Sequence, residues 1–211
     1  AAASGLLSLK KMRIGMGIIT GLILFIGVYL VYIGGLPILL VGLASVISVY
    51  LYSAGPFPFS TNALGDLFVF FFFGPVAVCG TYYVQTLSIN IYIILYSLSI
   101  GLLITAILVV NNYRDIRTDT EGGKRTLAVV LGEKGTRVEY LLLVSTAYII
   151  PIIMVVLLKA PIWLLIPLLS LPRWIPLFRD MFGRAKDQAL NRTLGGTAKL
   201  SLVFSLLLCL G

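Results

Sequence analysis

The sequence predicts an all-α membrane protein, a multi-spanning bundle of transmembrane helices. Two observations carry this. First, the chain of 211 residues is 59% hydrophobic and only 11% charged, whereas a soluble domain carries roughly a quarter charged residues to cover its surface. Second, the apolar residues fall in runs of about 20, the length that crosses a bilayer as a helix. A third observation, the one-sided placement of the charges, fixes the topology.

Seven spans are predicted, at 13–33, 36–53, 66–86, 89–113, 137–158, 161–178 and 196–211. The basic patch Lys10, Lys11 and Arg13 precedes the first. The apolar run behind it, Ile14 to Ile33, is too long for a signal-peptide core and no cleavage site follows, so it reads as a true span. Gly34, Gly35 and Pro37 mark the first turn, and Gly55, Pro56 and Pro58 end the second helix. Lys159, Ala160 and Pro161 form a tight hairpin between the fifth and sixth spans. The polar region 114–136 reads as a long loop between the fourth and fifth.

The charges agree with this threading. With the N-terminal patch in the cytoplasm, the loops 54–65, 114–136 and 179–195 share its side. Arg114, Arg117, Lys124, Arg125, Lys134 and Arg137 lie in or beside the second of these loops; Arg173, Arg179, Arg184, Lys186, Arg192 and Lys199 flank the third. Only Lys159 falls opposite, and all eight acids lie on the cytoplasmic side. The net charge of +8 therefore reads as topology and phosphate binding, with the lipid bilayer as partner and no nucleic acid.

Composition also excludes chemistry. There is no histidine, so imidazole acid–base catalysis and His-ligated metals are absent from this chain. Cys79 and Cys209 lie in apolar runs without metal or redox spacing and read as small hydrophobes. Any metal held here is a hard cation on oxygen ligands, which points to Mg²⁺. An anion-binding transporter subunit is the reading from a different class, but the predicted helix centres are almost purely apolar, which argues against an intramembrane ion path.

The chemistry concentrates in Asn111–Thr126, which reads N-N-Y-R-D-I-R-T-D-T-E-G-G-K-R-T. If the fourth helix continues through it, Asn111, Asp115 and Asp119 recur every four residues on one face. Two carboxylates one turn apart repel unless a cation lies between them, and Mg²⁺ leaves positions open for phosphate oxygens. Arg114, Arg117, Lys124 and Arg125 supply a clamp for a diphosphate, and Gly122-Gly123 lets the backbone turn beside a ligand. The plain alternative is a solvated loop in which acids pair with topology-setting bases. Asp66, at the start of a helix, reads as a capping or dipole residue.

The string N-x-x-R-D-x-x-x-D-x-x-x-G-K-R-T resembles the second aspartate-rich motif of the UbiA superfamily of membrane prenyltransferases, and more closely its 1,4-dihydroxy-2-naphthoate polyprenyltransferase branch of menaquinone biosynthesis. Tyr52–Phe59, Leu64-Gly-Asp66, Phe72–Pro75, Gly80–Gln85, Leu190-Asn191 and Thr197–Leu200 resemble further stretches of that family. The resemblance implies nine spans and two aspartate-rich motifs, against the seven spans and one motif here; Ser4–Lys11 looks like the segment after the first motif. It implies Mg²⁺ at Asp115 and Asp119 as the catalytic and metal-binding pair. It also implies a polyprenyl diphosphate held by Asn111, Arg114, Arg117, Lys124, Arg125, Tyr82 and Gln85, and transfer to an aromatic acceptor. The expected acceptor is 1,4-dihydroxy-2-naphthoate, with loss of CO₂ to give demethylmenaquinone; 4-hydroxybenzoate or homogentisate are the alternatives. The aromatics Phe71, Phe72, Tyr82 and Tyr83 are expected to shelter a carbocation. Ser60-Thr61-Asn62 departs from the family, many members of which carry a basic residue there. The implied address is the cell (inner) membrane, with the site facing the cytoplasm.

Overall fold

The structure, a computed structural model, describes residues 8–53, 58–183 and 187–210. Ser4 to Leu7, Gly55-Pro56, Arg184 and Lys186 lie outside the described residues, as do the side chains of 187 and 188. The all-α expectation holds. Among the described residues the only β pairing is an isolated parallel bridge between Asn62 and Arg125. The chain forms two compact units, Ala1–Val46 and Ile47–Gly211.

Most of the first unit lies in helix α1, Leu9–Ser53, which begins there and ends in the second unit. Forty-five residues would extend about 67 Å, more than twice the hydrocarbon thickness of a bilayer. Gly35 breaks the run with φ 64° and ψ −150°, and Pro37 follows it. Two predicted spans thus join through one left-handed residue rather than a loop, because glycine meets no steric penalty at positive φ. Most of the described side chains of the first unit are exposed, as a helix surface meant for lipid or other apolar helices would be.

In the second unit a 3₁₀ turn, Phe59–Thr61, leads into α2 (Gly65–Phe71), a π-helical turn (Phe72–Val76) and α3 (Ala77–Thr86), which together make one span. Pro75 lies inside the π turn, where its missing N–H accounts for the irregularity. Helix α4 (Ile91–Glu121) and helix α5 (Leu127–Leu157) follow. Asn90 caps α4 by accepting from the Ile93 amide at 2.9 Å. Replacing Asn90 with alanine is expected to lower stability by about 1 kcal/mol, read as the thermal midpoint in detergent.

The sixth predicted span is real but not α-helical throughout. Ile162–Arg173 winds as 3₁₀ turns before α6 (Trp174–Phe182), and Pro167 and Pro172 deny it the α-helical ladder. The last helix, α7, runs Asp187–Leu208. By length and apolarity five helices qualify as spans among the described residues, against seven predicted. Two of the seven are fused in α1. The seventh, α7, carries Asn191, Arg192 and Lys199 and is too polar to qualify.

The core of this unit lies between α4, α5 and α7, with Leu103, Val110, Tyr140, Val144, Ala147, Leu200 and Phe204 at its centre. Tyr140 shares a hydrogen bond with Thr197 at 3.1 Å, tying α5 to α7 where no water competes. The third span meets α4 closely where Gly74, in the π turn, faces Gly101. A Cβ on Gly101 would lie 2.8 Å from the Phe70 carbonyl oxygen and 3.0 Å from the Gly74 Cα.

Candidate functional site

Helix α4 continues through the polar stretch, so the predicted 114–136 loop shrinks to residues 122–126. The reason is local. Arg117 bonds Glu121 one turn on at 2.9 Å, and Thr118 and Thr120 donate to carbonyls within the helix, so the charged residues support helix rather than break it. Gly123, with φ +71°, then reverses the chain, and Thr126 caps α5. Asn111, Asp115 and Asp119 therefore do share a face of α4, as the spacing predicts.

Around Asp115 the contacts converge. The Arg114 guanidinium grips its carboxylate with two bonds, Nε to Oδ1 and Nη2 to Oδ2, both 2.8 Å. The same guanidinium donates to Asn111 Oδ1 at 2.9 Å and to Asn191 Oδ1 of α7 at 2.8 Å. One planar cation is thus held by three side chains from two helices. One turn on, Asp119 is 7% exposed and accepts from Lys124 Nζ at 2.9 Å. That bond holds the lysine pKa above its ordinary value.

The loop before α2 closes the site's other side. The Arg125 amide donates to the Thr61 carbonyl oxygen at 2.9 Å, and Asn62 pairs with Arg125. Segments 58–64, 111–126 and the start of α7 therefore meet at one end of the bundle. The departure at Ser60-Thr61-Asn62 is a contact segment of the site, held by backbone bonds.

The remaining predicted residues divide. Arg125 is exposed beside the turn. Arg117 points outward, its side chain 90% exposed and paired with Glu121, so it does not join the Asp115 cluster. Tyr82 and Gln85 lie at the opposite end. The Tyr82 hydroxyl accepts from Asn90, which precedes α4, about 37 Å of helix from Asp115. Gln85 is exposed there. Neither is brought to the carboxylates, because α2–α3 crosses away from the face where the site lies. Of the aromatics, Phe71 is largely exposed and Phe72 and Tyr83 are partly buried. Sequence reasoning missed Asn191 as a site residue. Its signal was its place in Leu190-Asn191, one of the stretches that resemble the family.

The donor set suits a hard divalent ion. Asp115 and Asp119 offer acceptor-only oxygens about 6 Å apart along the helix, and Lys124 is a long, half-exposed chain able to leave Asp119. No group of three or more acidic, histidine or cysteine side chains forms a complete metal cage among the described residues. This fits Mg²⁺, which takes one or two carboxylates and fills its shell with water and substrate phosphates.

Comparison with known proteins identifies the family. A family model for the UbiA prenyltransferase family matches residues 1–203. A 1,4-dihydroxy-2-naphthoate octaprenyltransferase of Bacillus subtilis (strain 168) is 31% identical over 191 residues, 90% of this chain and 61% of that protein. The enzyme of the same name from Escherichia coli (strain K12) is 33% identical over 173 residues, 82% of this chain and 56% of its own. UbiA prenyltransferase domain-containing protein 1 of Homo sapiens is 34% identical over 182 residues, 86% of this chain and 49% of its own. The chain spans about half to three fifths of the length of these relatives. With the spanning bundle, the match over nearly the whole chain makes this protein a member of the UbiA prenyltransferase family.

Proposed function

We propose that the protein transfers a polyprenyl group from its diphosphate to 1,4-dihydroxy-2-naphthoate at the cytoplasmic face of the cell membrane, with Mg²⁺ and with loss of CO₂. The observation that carries this is the arrangement at the end of α4: two carboxylates one turn apart, with Arg114 and Lys124 held beside them. Relatives named for that acceptor favour it over other aromatic acids.

Asp115 and Asp119 would hold Mg²⁺, which when bound supplies neutralisation of the diphosphate leaving group. Arg114 is oriented by Asn111 and Asn191, so its guanidinium meets a diphosphate without first being ordered. Lys124 is free to exchange Asp119 for a phosphate oxygen. The prenyl chain lies among apolar helices that exclude water, so the allylic cation left by diphosphate meets the aromatic ring rather than hydroxide.

The test offers the full natural chain one labelled polyprenyl diphosphate together with 1,4-dihydroxy-2-naphthoate, 4-hydroxybenzoate and homogentisate. The expected result is one dominant labelled product, from the naphthoate, lost on chelation of Mg²⁺. A dominant product from either of the other acids contradicts the assignment of the acceptor.

A further inference from the structure

Helix α7 reaches the diphosphate clamp through one side chain. Asn191 accepts from Arg114 Nη1 at 2.8 Å, the one hydrogen bond between α7 and α4 among the described residues. That bond depends on how α7 is seated, because turning a helix by one residue swings its side chains by about 100°.

The seat is built from polar side chains that the scheme above leaves unused. Thr193, two residues after Asn191, is fully buried, as are Thr197 and Tyr140. The Thr193 hydroxyl lies 3.1 Å from Asp180 Oδ2 of α6 and 3.0 Å from the Ala189 carbonyl oxygen one turn back, and its single proton serves both. The Thr197 hydroxyl donates to the Thr193 carbonyl oxygen at 2.9 Å, so the 3.1 Å bond between Thr197 and Tyr140 of α5 is donated by the tyrosine. Beside this chain of bonds, a Cβ on Gly196 would run into the Leu177 side chain, so α6 lies close against α7. Leu177 and Asp180 are three residues apart on α6, as Gly196 and Thr193 are on α7. Each pair shares a helix face. The α6–α7 contact is thus set by an apolar notch and a hydrogen bond one turn apart.

Thr193 does not need Asp180 for its own satisfaction, since the Ala189 carbonyl would serve, as such carbonyls do for other helical threonines. What the carboxylate adds is register. Apolar packing in lipid distinguishes poorly between one turn of a helix and the next, whereas a hydrogen bond between helices has one geometry. Asp180 applies that constraint about 3 Å along α7 from Asn191.

We propose that Asp180 and Thr193 are positioning residues for the diphosphate site: they hold α7 in the register that places Asn191 against Arg114. This rests on the reading of the end of α4 as a diphosphate site and not on the identity of the acceptor. An acid that acted on such a site only through its charge would repel the anion, and its removal would tighten binding. A positioning role predicts the opposite sign.

The test titrates a non-reactive prenyl diphosphate analogue, with Mg²⁺, into the full natural chain in nanodiscs. Asn191→Ala is expected to weaken binding about tenfold, as the loss of a hydrogen bond to a charged group. Thr193→Val and Asp180→Ala are expected to weaken it about fivefold, while Thr193→Ser and Asp180→Asn, which keep the hydroxyl and the acceptor oxygen, stay within about twofold of wild type. The decisive comparison combines two changes. Asn191→Ala with Thr193→Val should bind no more weakly than Asn191→Ala alone, because the seat acts only through Asn191. A merely structural Thr193 would add its loss to that of Asn191→Ala. Additive losses therefore overturn the proposal, as do unmoved affinity in Asn191→Ala, tightened binding in Asp180→Ala, or equal losses in Asp180→Ala and Asp180→Asn. If Thr193→Val does not fold, Asp180→Ala against Asp180→Asn, each alone and with Asn191→Ala, reads the same coupling. A wild-type chain that does not bind the analogue fails the diphosphate reading and the positioning with it. Binding by wild type with additive variants fails the positioning alone.

Discussion

Asp115→Ala in the full natural chain is expected to lower kcat for prenyl transfer by about a thousandfold, and Asp119→Ala by a similar factor. The carboxylate of Asp115 has two jobs at once. In the proposed reaction it would offer oxygens to Mg²⁺, and it holds the Arg114 guanidinium through two bonds of 2.8 Å. Removing it leaves Arg114 tethered by Asn111 and Asn191 alone. The clamp keeps its charge, so binding of the diphosphate should weaken less than turnover falls. Product formation from labelled donor at saturating Mg²⁺ reads this directly. Near-normal turnover in either variant contradicts the metal assignment. Arg117 is the internal contrast: outward-facing and paired with Glu121, it predicts an Arg117→Ala variant with less than about a twofold change, as a surface ion pair contributes little.

The largest structural effect is expected at Gly101. A side chain there meets the Phe70 carbonyl at 2.8 Å and the Gly74 Cα at 3.0 Å, both backbone atoms that cannot rotate away. Gly101→Val should therefore force α2 from α4 and destabilise the bundle by about 3 kcal/mol. In a bilayer, where helices gain nothing from hiding apolar surface from lipid, such backbone-to-backbone contact is a main source of association. The expected readout is a lowered thermal midpoint and aggregation on size exclusion. An unshifted midpoint would mean that the two helices do not meet at these glycines. The effect reaches the site, because α4 carries Asp115 and Asp119 in its last turns.

What the sequence made legible follows from what is local. The stripe Asn111, Asp115, Asp119 needed only helical spacing, and α4 continues to Glu121 as that spacing requires. Charge asymmetry placed three polar segments on one face, and the Thr61–Arg125 and Arg114–Asn191 bonds bring those segments together. The misses are non-local. Asn191 lies 77 residues from Arg114, and nothing in a single chain pairs them. Tyr82 and Gln85 entered by resemblance alone, and depth along the bundle sets them at the far end of α4. The loop prediction for 114–136 failed because charge was read as loop, whereas Arg117–Glu121 and Arg137–Glu133, each one turn apart, are helix-supporting pairs. The oxygen of buried Asp66 that is unpartnered among the described residues could not be seen in the sequence, which reads that residue as a helix cap.

The central claim is that the end of α4 binds a diphosphate through a divalent ion. Calorimetric titration of a non-reactive prenyl diphosphate analogue into the full natural chain tests it most directly. The account predicts binding at least about a hundredfold tighter with Mg²⁺ than with chelator, a difference lost when Asp115 and Asp119 are both changed to asparagine. Equal affinity with and without Mg²⁺, or undiminished Mg²⁺-dependent binding in that double variant, would contradict it.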